Sequence, residues 1–94
     1  MASQPAPIDL LYLDATGPKD HPDPQQRGKR IYRSLLETAY PYLADGALIV
    51  AHDTVPDWFT KSAGEYFELC RDGSRFRDSV EVRIDEMGLE VTRK

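Results

Sequence analysis

Cysteine is nearly absent: Cys70 stands alone, which leaves no internal disulfide framework and no multi-cysteine zinc site, and suits a reducing compartment, the cytoplasm by expectation. There is no surplus of positive charge either. The formal charge is −4, which gives no general attraction to phosphate backbones and makes nucleic acid a poor partner. No stretch approaches about 18 consecutive apolar residues, so no membrane span is expected. The start, Met1-Ala2-Ser3-Gln4-Pro5-Ala6-Pro7, has neither the basic region nor the apolar core of a signal peptide. The six glycines show no Gly-x-Gly spacing, which excludes a glycine-rich phosphate turn within this chain.

What is present is a globular composition, 40% hydrophobic and 30% charged, in 94 residues. That length allows one small domain, and such a domain buries only about 60–65% of the surface its unfolded form exposes. A partner would therefore help it. Residues 1–7 read as a loosely ordered lead, and 8–94 as the domain.

Ile8 to Leu13 is a short apolar run closed by Asp14 and then Gly17-Pro18, the pattern of a strand buried on both faces. Thr16 to Gly28 is rich in proline, glycine and charge and predicts a loop longer than the usual strand-to-helix connection. Tyr32, Leu35, Leu36, Ala39, Tyr40 and Leu43 then form one apolar stripe, predicting a helix from about Lys29 to Tyr40 that Pro41 tightens or ends. Asp45-Gly46 predicts a turn into a second buried strand, Ala47–Ala51, closing at His52-Asp53 and completing a βαβ unit. Thr54 is placed to cap a second helix, with Pro56 in its first turn and Phe59, Ala63, Tyr66, Phe67 and Cys70 on its apolar face. Val80, Val82 and Ile84 alternate with polar residues, Glu86-Met87-Gly88 supplies a turn, and Leu89 and Val91 resume the alternation, predicting a terminal antiparallel hairpin. The expected class is α/β with the order β-α-β-α-β-β.

The segments Ile8-Asp9-Leu10-Leu11-Tyr12-Leu13-Asp14, Leu35-Leu36-Glu37 and Tyr42 through Asp53, with the closing Glu86-Met87-Gly88-Leu89-Glu90-Val91, together resemble the second half of class I S-adenosylmethionine-dependent methyltransferases. The likeness is closest to catechol-type and related small-molecule O-methyltransferases. It implies half of a Rossmann-like sheet. In that family the cofactor sits on a glycine-rich turn after the first strand, with an acidic residue after the second holding the ribose, and this chain has neither element.

The resemblance implies S-adenosylmethionine-dependent O-methylation of a small-molecule hydroxyl, with the missing half supplied by a partner. Asp14 and Asp53 close adjacent strands at the end where open α/β sheets place ligands, and two carboxylates there suit Mg²⁺. Relatives add an Asn ligand after the second Asp; Thr54 stands at that position, where it is also a good helix cap. Strand-end turn and capping roles are the alternative for both aspartates. Lys19 is the nearest match to the family's general-base lysine, though further along a longer loop. Trp58 and Phe59 are candidates for the wall of an acceptor pocket, or for core or interface packing. His52 is either a base or ligand or a packed strand-end residue, and His21 either joins a weak cluster with Asp20 and Asp23 or belongs to a solvated loop.

Without the first half, Ile8–Leu13 becomes an edge, a template for pairing with another chain. Right-handed crossovers continuing in one direction put both helices on one side of the sheet, leaving the opposite face uncovered. The expected partner is a second copy of the chain or a separate chain carrying the cofactor half. The alternative is a non-catalytic, truncated domain that serves as an oligomeric interaction module.

Overall fold

The computed structural model describes residues 7–54 and 56–94, so the expectation for the lead falls, through Ala6, outside the described residues. Four strands and two helices follow in the order β1 (Ile8–Leu13), α1 (Ile31–Ala39), β2 (Leu43–His52), α2 (Asp57–Cys70), β3 (Asp78–Val82) and β4 (Leu89–Arg93). The strands form one mixed sheet in the spatial order β1-β2-β4-β3. β1 and β2 are parallel, and β4 is antiparallel to both of its neighbours, β2 and β3. The protein is thus a small α/β domain with the terminal hairpin on the side of β2 away from β1.

Side chains alternate across the sheet, so each strand has one set facing the helices. On that face Leu13, Ala47, Ile49 and Ala51 join Tyr32 and Leu36 of α1 and Phe59, Ala63, Tyr66 and Cys70 of α2 in a single core. The Tyr32 ring of α1 lies 5.6 Å from Phe59 and 5.7 Å from Tyr66 of α2, so aromatic packing ties the two helices together. Glu90 and Thr92 face the same way and are fully buried; the Glu90 carboxylate accepts hydrogen bonds from the Ser79 hydroxyl and from Arg71 at 3.3 Å. A buried carboxylate needs such partners, and they fix the hairpin's register.

Among the described residues no helix covers the opposite face. Tyr12, Val50, Val91 and Val80 line up across all four strands, with Leu10 beside Leu48 in the next row. Leu10, Tyr12 and Val80 are 61%, 56% and 54% exposed. Both helices do sit on one side, as the handedness of the crossovers requires.

Several boundaries differ from expectation. β2 starts at Leu43, before the Asp45-Gly46 turn signal, because Gly46 takes φ 81° and absorbs an irregularity rather than ending the strand. Ile8 pairs with Leu43 while Leu10 pairs with Leu48. α1 starts at Ile31 rather than Lys29, and Pro41 converts its end to a tight turn over Tyr40–Tyr42. Thr54 does not cap α2; Pro56 occupies the cap position without a side-chain bond. Ile84 is outside β3 and 69% exposed, because the Asp85 carboxylate accepts the Met87 and Gly88 amides and folds the connection into a turn. α2 also departs from helical geometry at Ala63, φ −134° and ψ 25°, beside Gly64. Among the described residues no helix is long and apolar enough to cross a membrane.

Candidate functional site

The carboxyl ends of β1 and β2 bring Asp14, His52 and Asp53 together, with one candidate ligand atom from each lying within 4.8 Å of the others. Parallel pairing explains this: Leu13 is level with Ala51, so the residues that follow each leave the sheet side by side. Asp53 adopts φ 65°, a left-handed conformation that Asp tolerates better than most residues, and its amide donates to the Gly88 carbonyl at 3.1 Å. The strand end is thereby tied to the β3–β4 connection.

That connection contributes Asp85, whose Oδ2 lies 3.4 Å from His52 Nε2, while His52 Nδ1 lies 3.2 Å from Asp53 and 3.8 Å from Asp14. The imidazole therefore faces three carboxylates. The Gly88 amide, with His52 and the Met87 amide, holds the exposed Asp85 carboxyl below its ordinary range.

The long loop after β1 is closed on itself. Gly17 and Gly28 exchange two backbone hydrogen bonds, of 3.0 and 3.1 Å, around a short turn at Pro24–Gln26 that the Asp23 carboxylate caps. His21 belongs to this scaffold: its Nδ1 accepts the Asp23 amide and its carbonyl accepts from Arg27. Gly17 has no substitute here, since a Cβ would collide with the Gln26 carbonyl oxygen.

Closing the loop delivers Lys29 to the strand ends. Its ammonium donates to the Ala15 carbonyl and the Tyr32 hydroxyl, both at 3.0 Å, and lies 3.4 Å from Asp53 and 3.8 Å from Asp14. Only 9% of the side chain is exposed. Burial opposes its charge, but the Tyr32 hydroxyl and Asp53 outweigh that opposition and hold its pKa above the ordinary value. Tyr32, fully buried, donates a hydrogen bond from its hydroxyl to the His52 carbonyl at 3.0 Å, and burial raises its pKa.

Asp14 and Asp53 are thus brought together. Thr54 follows them in the chain but is 1% exposed, and its hydroxyl has no hydrogen-bond partner among the described residues. Lys19 is exposed in the loop, away from the position that Lys29 holds between the carboxylates. Trp58 is 47% exposed, whereas Phe59 is wholly in the core, which leaves Trp58 as the only one of the pair with surface to offer a ligand. Lys29, Tyr32 and Asp85 were not singled out as site residues from the sequence. A signal existed: Tyr32 lies on the apolar stripe, a buried tyrosine hydroxyl needs a partner, and Lys29 is three residues before it.

No family model matches this chain, and no curated protein matches it.

Proposed function

We propose that this chain is the acceptor-side half of a Rossmann-like methyltransferase domain, acting in S-adenosylmethionine-dependent O-methyl transfer to a small-molecule hydroxyl when a partner supplies the cofactor half. The observation that carries the reading is the bare apolar sheet face, with Leu10, Tyr12 and Val80 exposed beside Leu48, Val50 and Val91, on a sheet whose strand ends gather Asp14, His52 and Asp53. A face of this kind marks an interaction surface. The edge position of β1, the neighbouring β2 and the hairpin beyond it support the same half-sheet reading.

In this reading the acceptor hydroxyl lies over the strand ends, where Asp14 and Asp53 orient it. S-adenosylmethionine would supply the methyl group, from the partner's side. As the new O–C bond would form and the sulfonium S–CH3 bond break, releasing S-adenosylhomocysteine, the hydroxyl proton must leave, and His52, held among carboxylates, is better placed to take it than Lys19 in the exposed loop. A reducing compartment such as the cytoplasm keeps the buried Cys70 a thiol.

Mg²⁺ fits these residues poorly. The ion requires near-octahedral oxygen coordination, and Asp14 and Asp53 already converge on the Lys29 ammonium. No step is assigned to a metal.

The same ammonium favours a second reading, a non-catalytic interaction module whose strand-end charges are structural. One experiment separates the two: calorimetric titration of the purified chain with S-adenosylmethionine, with and without Mg²⁺, alongside its mass by light scattering. Saturable binding from an assembly supports the enzyme. A defined oligomer that does not bind supports the module, and a stable monomer at micromolar concentration overturns the oligomeric module and leaves only a separate chain to supply the cofactor half.

A further inference from the structure

We propose that the Lys29 ammonium is the resident cation of the strand-end carboxylates, so that Asp14, His52 and Asp53 admit a divalent metal only when Lys29 is removed. This does not rest on the methyl-transfer reading, and its tests do not involve catalysis.

Four oxygens surround the ammonium: the Ala15 carbonyl and Tyr32 hydroxyl at 3.0 Å, Asp53 at 3.4 Å and Asp14 at 3.8 Å. Of its three N–H donors, two are hydrogen-bonded to the Ala15 carbonyl and the Tyr32 hydroxyl, and the ammonium is ion-paired with both carboxylates. Two of the oxygens are carboxylates at the ends of adjacent strands, the groups a hard cation would recruit. The ammonium therefore offsets one of the two carboxylate charges and lies against both carboxylates where a cation would approach them. A dication entering beside it would be repelled at a separation of a few ångströms.

The position is also over-determined. The Gly17–Gly28 backbone pair sets where the chain re-enters the domain, and Tyr32 holds the ammonium from one side while bonding the His52 carbonyl on the other. Lys29 is consequently not a loose surface side chain that a metal could push aside. With Lys29 gone, the ligand atoms of Asp14, His52 and Asp53 remain within 4.8 Å of one another, a spacing one ion can span.

The test is titration of the full chain with Mn²⁺, following the free ion by electron paramagnetic resonance, for the wild type, Lys29→Met and Lys29→Met combined with Asp53→Asn. Lys29→Met is expected to bind Mn²⁺ at least about tenfold more tightly than the wild type, and the added Asp53→Asn to abolish the gain. Equal binding by the wild type and Lys29→Met, or no binding by folded Lys29→Met, overturns the proposal. A second measurement needs no variant. During reductive methylation of the native protein, read by mass spectrometry, Lys29 should react at least about tenfold more slowly than the exposed Lys19 and Lys61. Reaction at the same rate as those two overturns the placement of the ammonium, whether or not Lys29→Met folds.

Discussion

The Lys29 ammonium lies 3.4 Å from the Asp53 carboxylate, joining the end of the long loop to the end of β2. The Lys29 side chain is 9% exposed and that of Asp53 23%, so this pair is shielded better than a surface ion pair. Asp53→Asn removes the charge yet keeps a residue that tolerates φ 65°. It should cost about 1–3 kcal/mol in urea unfolding, because it leaves a buried ammonium short of one partner. Asp53→Ala should cost about 1 kcal/mol more, through backbone strain. Equal losses for the two variants would show that the strain is negligible.

Gly17→Ala tests whether the closed loop positions Lys29. Its Cβ meets the Gln26 carbonyl, so the Gly17–Gly28 pair must open. The expected cost is about 1–3 kcal/mol, with faster proteolysis between Pro18 and Arg27. A variant as stable and as resistant as the wild type would mean that the loop closes without this pair.

Alkaline pH should destabilise the domain. Burial raises the pKa of Tyr66 well above 10.0 and that of Cys70 above 9.0, and Lys29 is held above 10.5. In each case the folded state holds its proton more tightly than the unfolded chain does. Stability is therefore fully present below the ordinary values and is lost as pH rises past them, first near 9 and more steeply beyond 10. Tyr66→Phe should flatten the steeper part of a urea-midpoint curve measured from pH 8 to 11. At neutral pH it should stay within about 1 kcal/mol of the wild type, since the buried hydroxyl lies near the Cys70 thiol without a hydrogen bond of normal geometry.

Leu10→Glu with Tyr12→Glu addresses the bare face. Both positions are more than half exposed, so the fold should change by no more than about 0.5 kcal/mol per site. The mass in solution should fall from that of an assembly to that of one chain. An unchanged mass would assign the contact to another surface. Leu36→Glu, in the core, should unfold the domain and serves as the contrast.

The helices and the cores of the parallel strands were legible because they rest on periodicity: Tyr32 and Leu36 share a stripe, as do Phe59, Ala63 and Tyr66, and all are buried. Asp14, His52 and Asp53 were legible as strand ends once β1 and β2 were paired. Lys29 was not, because its location depends on a backbone pairing between two glycines across a loop without hydrophobic pattern. Gly46 misled for a related reason. A positive φ ends a strand in one setting and bulges it in another, and only the partner strand decides. Ile84 fitted the alternation of β3, yet the Asp85 side chain captured two amides and ended the ladder first.

The antiparallel β4 separates β2 from β3, although it is made after both. During synthesis, which runs at about 5–20 residues per second, β2 and β3 emerge with no partner strand between them. The sheet cannot close until Leu89–Arg93 has left the ribosome, and Lys94, whose backbone bonds Gly46 and Ala47 and whose ammonium bonds the Tyr40 and Leu43 carbonyls, must follow. A nascent chain stalled before Leu89 should therefore leave Asp78–Val82 protease-sensitive, with no strand beside it, while β1 and β2 can already pair.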